Sequence, residues 1–285
     1  MPTLRELTEY HQPTTLDDAL KLLRRTGVKT VPLAGGTSLV PEAARDVQAV
    51  VDLNALDLSF IQTPEVSAEH PGAKRSGQNF GSLEIGATTK LQTLVDHETV
   101  RAYADSVLVT AILNAASRNT REAASLAGSI VAAPGNSPLF TALLALDARL
   151  IVRTARGTRE DEIALPYWTP QPRALILRVT LPAVPANTHA AYEKVARTPA
   201  DLPIVCVAAR ATIDHDQLRA IRLALGGVAE KPIVITQPAG SIEELAQLAI
   251  STVTPADDYF ATADYRREMI GVLTRRALQA MALSR

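Results

Sequence analysis

The sequence predicts an α+β protein: two small α/β units, then a C-terminal antiparallel sheet with helices. Three observations carry this reading. Up to about residue 180, short aliphatic runs alternate with helix-like stretches, the pattern of α/β units. Prolines 166, 170, 172, 182 and 185 then cluster and interrupt regular structure. Beyond them, three strand-like runs follow one another closely and two amphipathic stretches close the chain. The expected boundaries are 1–56 for the first unit, 57–183 for the second and 184–285 for the C-terminal domain, with a three-stranded sheet.

Composition narrows the function classes. A chain of 285 residues, 47% hydrophobic and 21% charged, has the makeup of a soluble globular protein with two or three cores. With 29 Lys and Arg against 30 Asp and Glu, the net charge of −1 offers no electrostatic grip on nucleic acid or anionic membranes. The single cysteine, Cys206, lies in the apolar run 202–209 and is expected to be a buried strand thiol. One thiol holds no iron–sulfur cluster and no cysteine-rich zinc site. Residues 1–12 carry Arg5, Glu6 and Glu9 and do not read as a secretory signal. No stretch reaches the roughly 18 apolar residues of a membrane span, so a cytoplasmic location is expected.

In chain order, Thr15 and Asp18 mark a helix start with Thr15 as N-cap, and Gly27 is placed to end that helix. The run 29–34 reads as a strand and leads into Gly35-Gly36-Thr37-Ser38; 48–53 is a second strand. The polar stretch 63–82 reads as a long hairpin loop. A strand at 83–87 and a helical region from Thr88 come next; 107–116 is read as a buried helix, 138–147 as a helix lying behind the small-residue stretch 125–129, and 149–154 and 174–181 as strands. Runs 190–196, 204–213 and 218–225 are the three antiparallel strands, with Asp214-His215-Asp216 as a turn, and 241–251 and 262–283 the final helices. The Arg pairs 266/267 and 275/276 are read as a solvated helix face or subunit contact. Tyr167 and Trp168, among prolines, are read as an inter-domain plug or a partner contact.

Two stretches are candidate binding loops. Gly35-Gly36-Thr37-Ser38 combines glycines, which bring backbone N–H groups close to an anion, with hydroxyls that add donors. Gly-Gly-Thr-Ser is also ordinary turn composition. A second small-residue stretch is Ser125-Leu126-Ala127-Gly128-Ser129, and the two together are suited to clamp one diphosphate. Neither the Rossmann glycine spacing nor a P-loop lysine is present. The five histidines show no metal-ligand spacing, and Asp257-Asp258 is read as a polar turn before a helix.

Across nearly its whole length the chain resembles the FAD-binding medium subunit of molybdenum hydroxylases, the family of carbon monoxide dehydrogenase and of the matching domain of xanthine dehydrogenase. The resemblance runs through Ala34-Gly35-Gly36-Thr37-Ser38, Ile85-Gly86-Ala87-Thr88-Thr89, residues 121–130, Leu143-Leu144-Ala145-Leu146-Asp147-Ala148, Tyr192-Glu193-Lys194 with Arg197 and Asp201, and Tyr265-Arg266-Arg267. It implies a PCMH-type FAD-binding domain, two subdomains holding FAD between them, plus a C-terminal sheet domain. It also implies an oxidoreductase subunit that passes electrons from iron–sulfur clusters on a small partner subunit to NAD, a quinone or oxygen, beside a large molybdenum-binding subunit. The molybdenum cofactor and the clusters would sit only on partner chains.

The resemblance assigns FAD to Leu33, Ala34, Gly35, Gly36, Thr37, Ser38 and Leu39 in the first loop, and to Ser125, Ala127, Gly128, Ser129 and Ser137 around the second. Backbone N–H groups of Gly35 to Ser38, Ala127 and Gly128 would take the diphosphate, helped by the hydroxyls of Thr37, Ser38 and Ser125. Ile176 or Leu177 would pack on the cofactor, and Lys194 would place positive charge near the flavin ring. Ala127-Gly128-Ser129 stands where the family usually has Gly-Gly-Asn, Glu122 where it has Asn, and Gly135-Asn136-Ser137 where it has an acidic residue. These departures keep a second reading open, a structural scaffold subunit with weak or lost FAD binding. A stand-alone FAD oxidase is a third.

Overall fold

The computed structural model of the protein describes residues 7–42, 46–64, 81–154, 157, 159–171, 173–215 and 217–283. The hairpin expected over 63–82 lies largely outside the described residues.

The first unit contains β1 (Glu9–His11), α1 (Leu16–Leu23), β2 (Thr30–Leu33), α2 (Leu39–Glu42) and β3 (Ala49–Asp52). Thr15 caps α1 as expected, its side-chain oxygen accepting from Asp18 N–H at 3.2 Å. The strands form a parallel sheet in the order β1-β3-β2. All four residues of the central strand β3 are buried, which is why Ala-Val-Val-Asp reads as a continuous run rather than an alternating one.

The second unit differs from the expected α/β arrangement. Its strands β4 (Ile61–Gln62), β5 (Leu83–Gly86), β6 (Arg149–Thr154), β7 (Glu160–Ala164) and β8 (Ala174–Leu181) form an antiparallel sheet in the order β4-β5-β8-β6-β7. The helices come as one run between β5 and β6: α3 (Leu91–Asp96), α4 (Glu98–Ala102), α5 (Val107–Ala115), α6 (Arg118–Ala123), α7 (Leu126–Val131) and α8 (Pro138–Ala145). Collected in a single insertion, they cannot serve as crossovers between parallel neighbours. Every residue of α8 is buried, and the C-terminal sheet packs on it through β10 and β11.

The C-terminal sheet has four strands rather than three, in the order β12-β11-β10-β9: β9 (Thr188–Val195), β10 (Val205–Asp214), β11 (Gln217–Gly226) and β12 (Ile233–Ala239). Two helices back it, α9 (Ile242–Thr252) and α10 (Ala263–Leu283). The additional strand β12 runs along the sheet edge, where Pro238 costs no ladder bond on the open side. Strand β10 is buried on both faces. Cys206 and Ala208 join the core built on α8, while Val205, Val207 and Ala209 join the core under α9 and α10. Cys206 is thus the buried strand thiol that was expected, and burial pushes its pKa up to about 11. Among the described residues, no helix is long and apolar enough to cross a membrane.

Candidate functional site: a cleft between two small-residue turns

The first loop leaves the parallel sheet where β2 ends. Gly36 has φ +68°, a conformation that other residues adopt only under strain. Gly35 is required for a different reason: a Cβ there would lie 2.0 Å from the Ala123 carbonyl oxygen, at the end of α6. The first loop therefore packs on the chain just ahead of the second stretch. To other described residues, the N–H groups of Gly35, Gly36, Thr37 and Ser38 and the hydroxyls of Thr37 and Ser38 make no hydrogen bond. This leaves a concave set of donors with capacity for an external acceptor.

The second stretch is the N-terminus of α7 rather than an open loop. Ser125 is its N-cap, with Oγ accepting from Gly128 N–H at 3.2 Å. Ala127 N–H donates to the Ala87 carbonyl at 3.0 Å, Leu126 N–H to Thr89 at 2.9 Å and Ser129 N–H to Ser125 at 3.0 Å. The expectation that Ala127 and Gly128 offer N–H groups to a diphosphate is thereby corrected, because both already have acceptors. Ala127 is not among the residues with positive φ and lies inside a helix, so alanine carries no backbone penalty there. Glu122 pairs with Arg118 in solvent at 3.5 Å. Arg121 is spent on Gln92 (2.9 Å) and the Ala116 carbonyl (2.7 Å).

Between the two turns lies a cleft of about 730 Å³, a volume typical of ligand pockets. Leu33 to Leu39, Ser125, Ala127, Gly128 and Ile176 all line it. Leu177 faces the other way, into the cluster formed with Ala19, Leu20 and Leu23 of α1. Ser129, Ser137 and Lys194 are not on the cleft wall. Ser137 caps α8, accepting from Phe140 N–H at 3.3 Å. Lys194 donates to the carbonyls of Pro199 (2.9 Å) and Asp201 (3.3 Å), and burial lowers its pKa.

Several cleft residues carried no recognisable sequence signal. Arg25, Lys29 and Arg173 bring positive charge to the wall, and no carboxylate is among the described residues that line it. Arg25 is held by Glu9, at 2.9 Å through Nη2, and Lys29 by Asp46 at 2.7 Å. Arg173, at φ +65°, has no ion-pair partner among the described residues. Trp168 is buried and lines the cleft, whereas Tyr167 beside it is exposed.

The remaining sequence candidates have structural roles. Asp257 accepts from the Ala263 N–H (2.5 Å) at the start of α10, the polar turn that was expected. Arg266 is buried, contrary to the solvated face expected for it. Its guanidinium binds the Ile204 and Gly227 carbonyls at 2.7 and 2.9 Å and Asp258 at 2.6 Å. No group of three potential metal ligands occurs among the described residues.

Comparison with known proteins agrees with this geometry. Residues 5–184 match the family model described as the FAD binding domain in molybdopterin dehydrogenase, and residues 190–281 match the CO dehydrogenase flavoprotein C-terminal domain. The chain is 26% identical to the glyceraldehyde dehydrogenase medium chain of Sulfolobus acidocaldarius, covering 96% of this chain and 98% of that one. It is 25% identical to the carbon monoxide dehydrogenase medium chain of Afipia carboxidovorans, over 95% of each. A solved carbon monoxide dehydrogenase from Hydrogenophaga pseudoflava has the same fold, with TM-score 0.82 at 23% identity over 96% of this chain and 97% of that one. The family model alone spans well over half of the sequence: this chain belongs to the FAD-binding domain family of molybdopterin dehydrogenases and is an FAD-binding oxidoreductase subunit of the molybdenum hydroxylase kind.

Proposed function

We propose that this chain is the electron-transfer subunit of a molybdenum-containing hydroxylase or dehydrogenase. It would take electrons from iron–sulfur clusters on a small partner subunit and pass them to an external acceptor, NAD, a quinone or oxygen. A large molybdenum-binding subunit would complete the complex. The observation that carries this reading is a cleft lined by Gly35 to Ser38, whose N–H groups make no hydrogen bond to other described residues, together with cations and no described carboxylate. A diphosphate fits that chemistry: oriented backbone donors plus positive charge.

When bound, FAD supplies the electron-accepting and electron-donating chemistry. The chain's residues bind and orient it. Gly35 to Ser38 hold the diphosphate through N–H groups and the hydroxyls of Thr37 and Ser38. Arg173 adds charge to the cleft wall, and Ile176 an apolar surface. The start of α7 contributes shape rather than donors. With Cys206 buried and the only cysteine, any iron–sulfur clusters that feed the flavin would sit on another chain. The names of two relatives, "medium chain" and "dehydrogenase complex subunit alpha", support a multi-subunit assembly.

Co-expression with the adjacent genes tests this. The expected result is a yellow complex that releases FAD on denaturation and contains a cysteine-rich small subunit and a large subunit. A colourless chain that also takes up no added FAD would favour the scaffold reading. Turnover by the isolated chain would favour a stand-alone oxidase. Two of the three departures that motivated the scaffold carry less weight in the fold, since Ala127 is helical and Glu122 points to solvent.

A further inference from the structure

We propose that Asn54 is a positioning residue for the diphosphate, acting through the peptide bond that joins Ala34 to Gly35; the inference rests on the FAD reading above. The side-chain amide of Asn54 donates to the Ala34 carbonyl at 3.0 Å and to Asp52 Oδ1 at 2.6 Å. Its Oδ1 faces Lys90 Nζ at 3.4 Å. This pattern fixes which way the amide points. Turned over, it would set its NH₂ against an ammonium and its carbonyl against a carboxylate.

Asp52 is itself anchored. It is 5% exposed, accepts from Tyr10 Oη and from Gln12 Nε2 (3.4 Å), and receives the Asn54 N–H at 2.9 Å in an Asx turn. Behind the loop there is thus a chain of polar contacts: Tyr10, Asp52, Asn54, then the Ala34 carbonyl. None of Tyr10, Asp52 or Asn54 is on the cleft wall.

The effect on the loop comes from peptide geometry. The Ala34 C=O and the Gly35 N–H belong to one planar trans unit and point in opposite directions. Tying the carbonyl to Asn54 turns the Gly35 N–H away from Asn54, and Gly35 lines the cleft. Glycine has the backbone freedom to let this peptide plane rotate, so a tether is needed where the donor direction matters. Asn54 supplies it without touching the ligand.

The test uses the full-length chain stripped of cofactor and titrated with FAD and, separately, with ADP, which keeps the diphosphate and lacks the flavin. Asn54→Ala is expected to weaken both by the same factor, about tenfold, the effect of one lost hydrogen bond. Asn54→Asp removes the donor and faces Asp52 with a second carboxylate, and should lose more. Asn54→Gln, which keeps the amide, should stay within about threefold of wild type. Unchanged ADP affinity in Asn54→Ala, with or without a lower melting temperature, would reduce Asn54 to a structural role and overturn the proposal. Loss for FAD but not for ADP would overturn it too. If Asn54→Ala does not fold, equal ADP affinity in Asn54→Asp and wild type overturns it instead. A wild-type chain that binds neither FAD nor ADP would instead refute the FAD reading itself.

Discussion

At the first small-residue turn, the N–H groups of Gly35 to Ser38 keep their bonding capacity, whereas around the second the N–H groups of Leu126 to Ser129 all reach acceptors within the protein. The contrast comes from the elements to which each turn is joined. The first feeds the short helix α2 and is tethered from behind through the Ala34 carbonyl. The second is clamped onto the segment after β5 by bonds to Ala87 and Thr89 and closes on itself through the Ser125 cap. On the reading proposed above, the first turn binds and the second braces it, and Gly35 packs on Ala123, just ahead of the second turn.

The sharpest way to break this arrangement is Gly35→Ala. Its Cβ would sit 2.0 Å from the Ala123 oxygen, so the turns must part. Overpacking of this kind costs about 1–3 kcal/mol. Most of that should appear as lost FAD affinity, on the order of 100-fold, read from the flavin-to-protein ratio and a fluorescence titration.

Arg173→Ala should weaken FAD by roughly fivefold at low salt, and less as ionic strength rises, because the side chain is exposed. A salt-independent loss would show that Arg173 acts through packing.

Ser125→Ala separates the two roles. Loss of the N-cap should cost about 1 kcal/mol and lower the melting temperature by roughly 2–4 °C. FAD affinity should change by less than about threefold, since the hydroxyl is engaged with Gly128. A larger loss of affinity than of stability would place this hydroxyl on the ligand and end the distinction between the turns. The smallest effect is expected for Lys194→Met, which gives up two carbonyl contacts away from the cleft. Flavin affinity and reduction potential should match wild type, and a shifted potential would return Lys194 to the ring.

Much of this was legible in the sequence because the signals were local. Gly-Gly after an aliphatic run, the Thr15 cap and the apolar run of α8 each encode their own structure. The features that escaped depend on distant partners. The antiparallel order of the second sheet is set by which strands meet after the helical insertion, and β12 is a short run preceded by Pro232 and interrupted by Pro238. Two other signals were present in the chain. Ser125 followed by Leu126 and Ile130, four apart, is a cap before an apolar stripe. Arg266 stands four residues before Ile270, with Leu273 and Ala277 continuing the same buried face of α10, so its burial follows from helical periodicity. Arg173 left no trace, and Trp168 was read as an inter-domain plug or partner contact rather than as cleft wall, because the return to β8, not local composition, brings them to the cleft.

Strand β8 places Leu175 and Leu177 against α1 on one side and Ile176 and Val179 against the helical core on the other. The N-terminal unit therefore covers an oily ribbon as well as forming part of the cleft wall. A fragment beginning at residue 57 would bare that ribbon to water, and it is expected to precipitate rather than persist as a smaller folded protein.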